Sequence, residues 1–339
     1  MRMIRTLSAL ALLTLTTPAL AAEPAPAPSE IVAAAPRADW VAIPASDLLV
    51  MDLTPPTQGP GQASAKARPR RVVIQLMPPP FAQGWIGNIR KLAAAHWWDG
   101  LSINRVQDNY VVQWGDAEGE NKTKAKVLPV GLAAASESAY IVETRSSPSL
   151  AAKATSEIAH LEHLQAEAAA GPANHENQIA RRDPYAETVS NWRGWPLAFG
   201  GEAAWPVHCY GMVGVGRNLS PDTGSGAELY TVIGHAPRHL DRNIALVGRV
   251  IEGIEHLSSL PRGTGALGFY ETPEERTTIL SIRLGNEVPA LPAYEYLSTE
   301  SAAFARYADA RANRRDPFFI VPAGGADICN IPVPVRRVK

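Results

Sequence analysis

Two polar side chains stand inside an apolar pattern in the stretch "INRVQDNYVVQWGD", residues 103–116: Arg105 and Gln113. An arginine stays charged at any working pH and offers a rigid fork of N–H donors. A glutamine adds amide donors and a carbonyl acceptor. That is hydrogen-bonding chemistry, suited to gripping carbonyl and amide groups of another molecule. The runs Ile103 to Val106 and Tyr110 to Trp114 flank the turn-forming Gln107-Asp108-Asn109 and read as a β-hairpin. On regular strands Ile103 and Arg105 share a face, as do Val111 and Gln113, while Val106 and Val112 point the other way into a core. Spacing alone leaves a second reading open, in which Arg105 is an edge-strand residue covering apolar surface with its stem.

Other groups invite chemistry without carrying it. The glycines of "GMVGVGR" (211–217) do not fit G-x-G-x-x-G and lead into no helix, and no G-x-x-x-x-G-K-[ST] occurs. His160 and His163 lie three apart on a helix around Glu162, which is not the H-E-x-x-H arrangement and reads as a solvated face. The "GSG" at 224–226 is no nucleophile elbow. Cys209 and Cys329 are the two cysteines. They read either as one bridge tying the C-terminal tail to the middle of the chain or as two buried thiols, and two thiols alone make no zinc site.

The elements around the hairpin set what positions it. The chain has 339 residues, 32 basic and 33 acidic, so no basic face argues for nucleic acid. Residues 1–21 combine Arg2 and Arg5, the apolar "LSALALLTL" and the small "ALA" of a signal peptide, too short to span a bilayer. The expectation is export to the periplasm, with secretion as the alternative, and no membrane span in the mature chain. Residues 22–40 read as a Pro/Ala-rich extended linker. "DLLVMDL" (47–53) and "RRVVIQLM" (70–77) are strands around a Pro/Gly/Ser-rich loop, and 81–100 has helical spacing. Strand character returns at 205–217, 227–234 and 276–285, with a strand running into a helix over 244–260. About 117–206 reads as a long insertion without a core of its own, carrying an alanine-rich helix over 149–171. A C-terminal extension, 289–339, holds a helical stretch at 298–315. The fold class is mainly β, a closed antiparallel barrel capped by two helices.

The hairpin resembles the F-H-R-V-x-x-x-F-M-x-Q-G-G-D motif of the cyclophilin family of peptidyl-prolyl isomerases. "NIRKLAAAHWWDGLSI" is similar to that family's N-F-x-x-L-x-x-x-G-x-Y-x-G-T-x-F. The stretch "GMVGVGRNLSPDTGSGAELYTVIGHAPRHLDRNIALVGRVIEGIEHLSSL" is similar to the segment from G-x-x-x-M-A through S-Q-F-F-I to F-G-x-V-x-x-G. The likeness covers roughly 47–116 and 207–285. It implies an eight-stranded barrel domain over 41–288, interrupted by the insertion. By position it places Arg105 on the catalytic arginine and Gln113 on the glutamine that binds substrate backbone. Tyr110, Val111, Tyr230 and Leu240 fall on the proline pocket, with Glu228 and His239 on its rim. The sequence departs from the family pattern at Asn104 for His, Glu228 for Gln, His239 for Trp and Ile244 for His. The implied function is isomerisation of X–Pro bonds, with no cofactor and no metal. The implied partners are proline-containing segments of unfolded or folding exported proteins. A weak or inactive proline-peptide binder is the alternative.

Overall fold

The computed structural model describes residues 25–55, 69–170 and 183–338, and residues 1–21, read above as a signal peptide, lie outside them. The chain runs through α1 (Pro28–Ala33), β1 (Trp40–Ile43), β2 (Leu48–Leu53), β3 (Arg70–Leu76), α2 (Gln83–Ala94), β4 (Ser102–Val106) and β5 (Val111–Gly115). Next come β6 (Val142–Glu143), α3 (Pro148–Ala170), β7 (Thr188–Trp192), β8 (Trp195–Gly200) and β9 (Ala203–Pro206). It ends with β10 (Met212–Val215), β11 (Leu229–Val232), β12 (Leu246–Glu252), α4 (Glu255–Ser258), β13 (Thr277–Leu284), β14 (Tyr294–Leu297), α5 (Ala302–Ala312) and β15 (Val335–Arg337).

Eight strands close into an antiparallel barrel in the order β10-β11-β5-β4-β13-β2-β3-β12, with β12 returning to β10. Closure leaves no free sheet edge. Met51, Leu53, Val72, Ile74, Val106, Val112, Ile279 and Ile282 fill the interior. Helix α2 buries Trp85, Ile89, Leu92 and Ala93, which stand at the helical spacing seen in the sequence, and Ile86 beside them, against this core. The Trp85 indole donates to the carbonyls of Thr223 and Gly224, both at 3.0 Å. The second helix, α4, is one short turn with Leu257 buried. Among the described residues no helix is long and apolar enough to cross a membrane.

The insertion contains more regular structure than its polar loops suggest. Besides α3 it forms a four-stranded sheet, β6-β9-β8-β7. The β7–β8 turn has Arg193 and Gly194 at φ 48° and 82°, the two-residue geometry that matches strand twist. Trp192, Trp195, Leu197, Phe199 and Trp205 of this sheet join the barrel's own apolar cluster. Buried Asn88 on α2 holds the insertion down, exchanging hydrogen bonds with Ala133 at 2.8 and 2.7 Å.

The linker reading of 22–40 requires correction. Residues 28–33 form a helix and 40–43 a strand paired with β14, in a three-stranded sheet β1-β14-β15. Ile31 and Trp40 pack against Leu297, Phe304 and Tyr307. A Pro/Ala-rich composition hides this because the burial partners lie in the C-terminal extension. Cys209 and Cys329 form a disulfide, S–S 2.04 Å, which joins that extension to the segment before β10.

Candidate functional site

The shared face read for Ile103 and Arg105 also requires correction. The β4–β5 register shifts between these residues, so Asn104 is an extra residue in a bulge. Ile103 therefore faces Trp114 inside the barrel, both fully buried, while Arg105 turns outward opposite Gln113. Asn104 is buried in the bulge, where its Oδ1 accepts from the Ser102 hydroxyl at 2.8 Å and its carbonyl from the Tyr270 N–H at 2.9 Å.

Arg105 opposes Gln113, Gln113 opposes Tyr230, and Tyr230 opposes Gly214, a single row across β4, β5, β11 and β10. Residues directly opposite on paired strands present side chains to the same face. The row therefore collects a cation, an amide and a phenol on the barrel's outer surface.

Arg105 is half-buried between the rings of Tyr110 and Phe269, with centroids 5.7 and 5.3 Å from its guanidinium carbon. Its Nε donates to the Leu267 carbonyl at 2.7 Å, and its terminal nitrogens donate to Gln113 Oε1 at 3.3 Å and to Gln107 Oε1. Burial lowers its pKa, a loss the nearby Tyr110 partly offsets. A guanidinium still remains charged. The 263–270 segment lies along β4 and supplies the opposite wall, tied by the Gly263 N–H to the Val106 carbonyl at 3.0 Å.

Glu228 lies just before β11. Its carboxylate folds over Gly115, where a Cβ would overlap it, and accepts the Asp116 N–H at 2.6 Å. Burial pushes its pKa up to about 7, against the hydrogen bonds from the Asp116 N–H and the Gln113 side chain that stabilise the anion. Gln113 thus stands between the guanidinium and a carboxyl that titrates near neutrality. Arg105, Gln113, Glu228, Arg217, Tyr270 and Arg276 line a cavity of about 730 Å³.

Beside that cavity lies a separate apolar cluster of Val111, Tyr230 and Val232, packed by Tyr110 and Ile244. Of the pocket residues read from the sequence, Tyr110, Val111 and Tyr230 come together. Leu240 sits half-buried on the 3-10 turn Arg238–Leu240 and His239 is exposed beside it, both outside the cluster. Ile244, noted in the sequence only as a departure, closes the cluster instead. Gln107, Leu267, Phe269 and Arg276 escaped the sequence reading. The glycines of "GTGALG" (263–268) are the one signal that a loop approaches a backbone there. Gly268, at φ 80°, sits so close that a Cβ would meet Gln107 Cα at 2.7 Å.

Comparisons with known proteins identify the family and the fold. The model of the family described as "Cyclophilin type peptidyl-prolyl cis-trans isomerase/CLD" matches residues 82–284. The peptidyl-prolyl cis-trans isomerase CYP23 of Arabidopsis thaliana is 38% identical over 82 residues, 24% of this chain. The chain matches 35% of the length of that relative. The crystal structure of cyclophilin AquaCyp293 from Hirschia baltica is similar in fold, with a TM-score of 0.56 at 16% identity. That match covers 88% of this chain and 94% of the other.

Proposed function

Because this chain belongs to the cyclophilin-type peptidyl-prolyl cis-trans isomerase family, we propose that it accelerates rotation about X–Pro bonds in unfolded or folding exported proteins. The observation that carries this reading is the row Arg105–Gln113–Tyr230, which puts a fixed cation and an amide beside an apolar cluster on the barrel's outer face. An X–Pro bond resists rotation by about 18–20 kcal/mol because the nitrogen lone pair conjugates with the carbonyl. Uncatalysed exchange takes roughly tens to hundreds of seconds. No bond breaks, so amide rotation requires neither a nucleophile nor a cofactor.

Arg105 donates to the proline's carbonyl and to its nitrogen as conjugation is lost, favouring the twisted state over both planar ones. Gln113 holds the neighbouring backbone, and Tyr110, Val111 and Tyr230 grip the ring, with Leu240, His239 and Glu228 on the rim. Residues 41–288 form the catalytic domain, and the leader-like residues 1–21 support a periplasmic site of action.

A second reading, a weak catalyst that mainly binds proline peptides, is favoured by the existing engagement of Arg105. Its donors already meet Leu267, Gln107 and Gln113. NMR exchange spectroscopy on an Ala-Pro peptide separates the two. The expected result is fast exchange with the wild-type chain and a loss of roughly a hundredfold or more in Arg105→Ala. Peptide-induced resonance shifts without any acceleration would leave only the binder.

A further inference from the structure

Behind the apolar cluster runs a chain of buried polar groups with no part in the chemistry above. His208, between β9 and β10, is fully buried, and its ring lies parallel to that of Tyr230, with an interplanar angle of 9°. Its backbone N–H and Nδ1 both meet Asp241 Oδ1, at 2.9 and 2.8 Å, and its Nε2 meets the Tyr230 hydroxyl at 2.9 Å. An ionised Asp241 only accepts, so the ring proton belongs on Nδ1. Nε2 is then an acceptor, and the Tyr230 O–H donates to it. Burial lowers the His208 pKa, which keeps that acceptor lone pair available although Asp241 pulls the other way.

The chain continues outward from the pocket. Asp241 Oδ2 accepts Arg238 Nε at 2.6 Å, and Arg238 is bidentate to Asp183 at 2.7 and 3.0 Å. Arg238 and Asp241 are buried like Tyr230 and His208. Buried titratable groups are tolerated when each finds its partners, and a fully satisfied network is rigid. A phenylalanine at 230 would fill the apolar cluster without any of these groups. The Tyr230 ring also spans Gly214, where a Cβ would fall on its hydroxyl, so the ring has one resting place.

We infer that His208, Asp241 and Arg238 are positioning residues that fix the Tyr230 ring as a wall of the proline pocket, a deepening that rests on the reading of that pocket given above. The network's outer end is anchored twice. Cys209, next to His208, is bonded to Cys329, and Arg238 lies 3.9 Å from Asp327 of the same extension. The C-terminal extension thereby helps hold the wall of the binding site.

The test uses the full chain with the Ala-Pro peptide. It measures KM and kcat by exchange spectroscopy, the dissociation constant by NMR titration, and folding by thermal unfolding. His208→Leu is expected to raise KM and the dissociation constant roughly tenfold, with kcat changed far less. His208→Gln, which keeps an acceptor facing Tyr230, should recover most of that loss. In a Tyr230→Phe background His208→Leu should add nothing, since the hydroxyl through which it acts is gone. Unchanged peptide affinity in folded His208→Leu, or an equal loss in the Tyr230→Phe background, would overturn the inference. If His208→Leu does not fold, Tyr230→Phe decides: weakened binding supports the inference, and wild-type affinity overturns it. A wild-type chain that binds without accelerating exchange defeats the catalytic reading alone, because the dissociation constants still report on the network.

Discussion

Tyr230 and Gly214 form a close pair whose fit can be probed with one methyl group. The ring is pinned by His208 and cannot move aside for a Cβ at 214. Gly214→Ala is therefore expected to cost about 1–3 kcal/mol of stability by overpacking, seen as a lower denaturant midpoint, together with weaker Ala-Pro peptide binding. Glu228 gives a pH signature. Its folded pKa of about 7 lies above its ordinary 4.5, so the folded chain holds a proton that the unfolded chain releases between those values. The stabilisation is complete below about 4.5 and is lost as pH rises through about 7. Thermal unfolding across that range should show a fall in the wild-type midpoint that Glu228→Gln lacks. Parallel curves for the two proteins would refute the assignment.

At the scale of elements, the bulge in β4 decides the site. Were Asn104 an ordinary paired residue of the strand instead of bulged out of register, Arg105 would follow the strict alternation and share the inward face of Ile103. The small N-terminal elements depend on a different contact set. Helix α1 has six residues, too few to persist alone, and is held by Ile31 against Phe304 and Tyr307 of α5. Glu295 on β14 is buried and meets both Arg37 and Arg336. Burial by itself would raise its pKa, yet these two arginines hold it below the ordinary carboxylate value. Ile31→Ala is expected to destabilise by about 2–3 kcal/mol in urea titration, through lost burial and a residual cavity. The barrel's exchange rate per folded molecule should stay the same.

Across the whole molecule, the barrel, the insertion sheet and the C-terminal extension meet around Arg249 on β12. It donates to Gln75 at 3.0 and 2.8 Å and to the Gly194 carbonyl at 2.7 Å, and lies over Trp195 and Tyr296. Burial lowers its pKa to about 10, so it remains charged near neutrality. The disulfide closes a further long-range tie, its ends 120 positions apart in the sequence. Cys329→Ser should lower the unfolding free energy by about 3–5 kcal/mol through the freer unfolded chain, read from urea midpoints with and without reductant. Equal midpoints for wild type and variant under oxidising conditions would show that the bridge contributes nothing.

The local sequence pattern was enough to lay out β2 and β3, the buried stripe of α2, and a hairpin bearing Arg105 and Gln113, because each lies within one continuous stretch. Periodicity reports which face of a single element is apolar, and these elements obey it. It does not report an extra residue in a ladder, so the outward turn of Arg105 at Asn104 needed the paired strand β5. Nor does it report partners from distant segments: Leu267 and Phe269 around Arg105, Ile244 in place of Leu240 in the apolar cluster, and His208 behind Tyr230. The cysteine pairing and the helix at 28–33 were undecided or misread for the same reason. A Pro/Ala run looks like a linker until Phe304 and Tyr307 cover its one isoleucine, and only the closed chain brings those surfaces together.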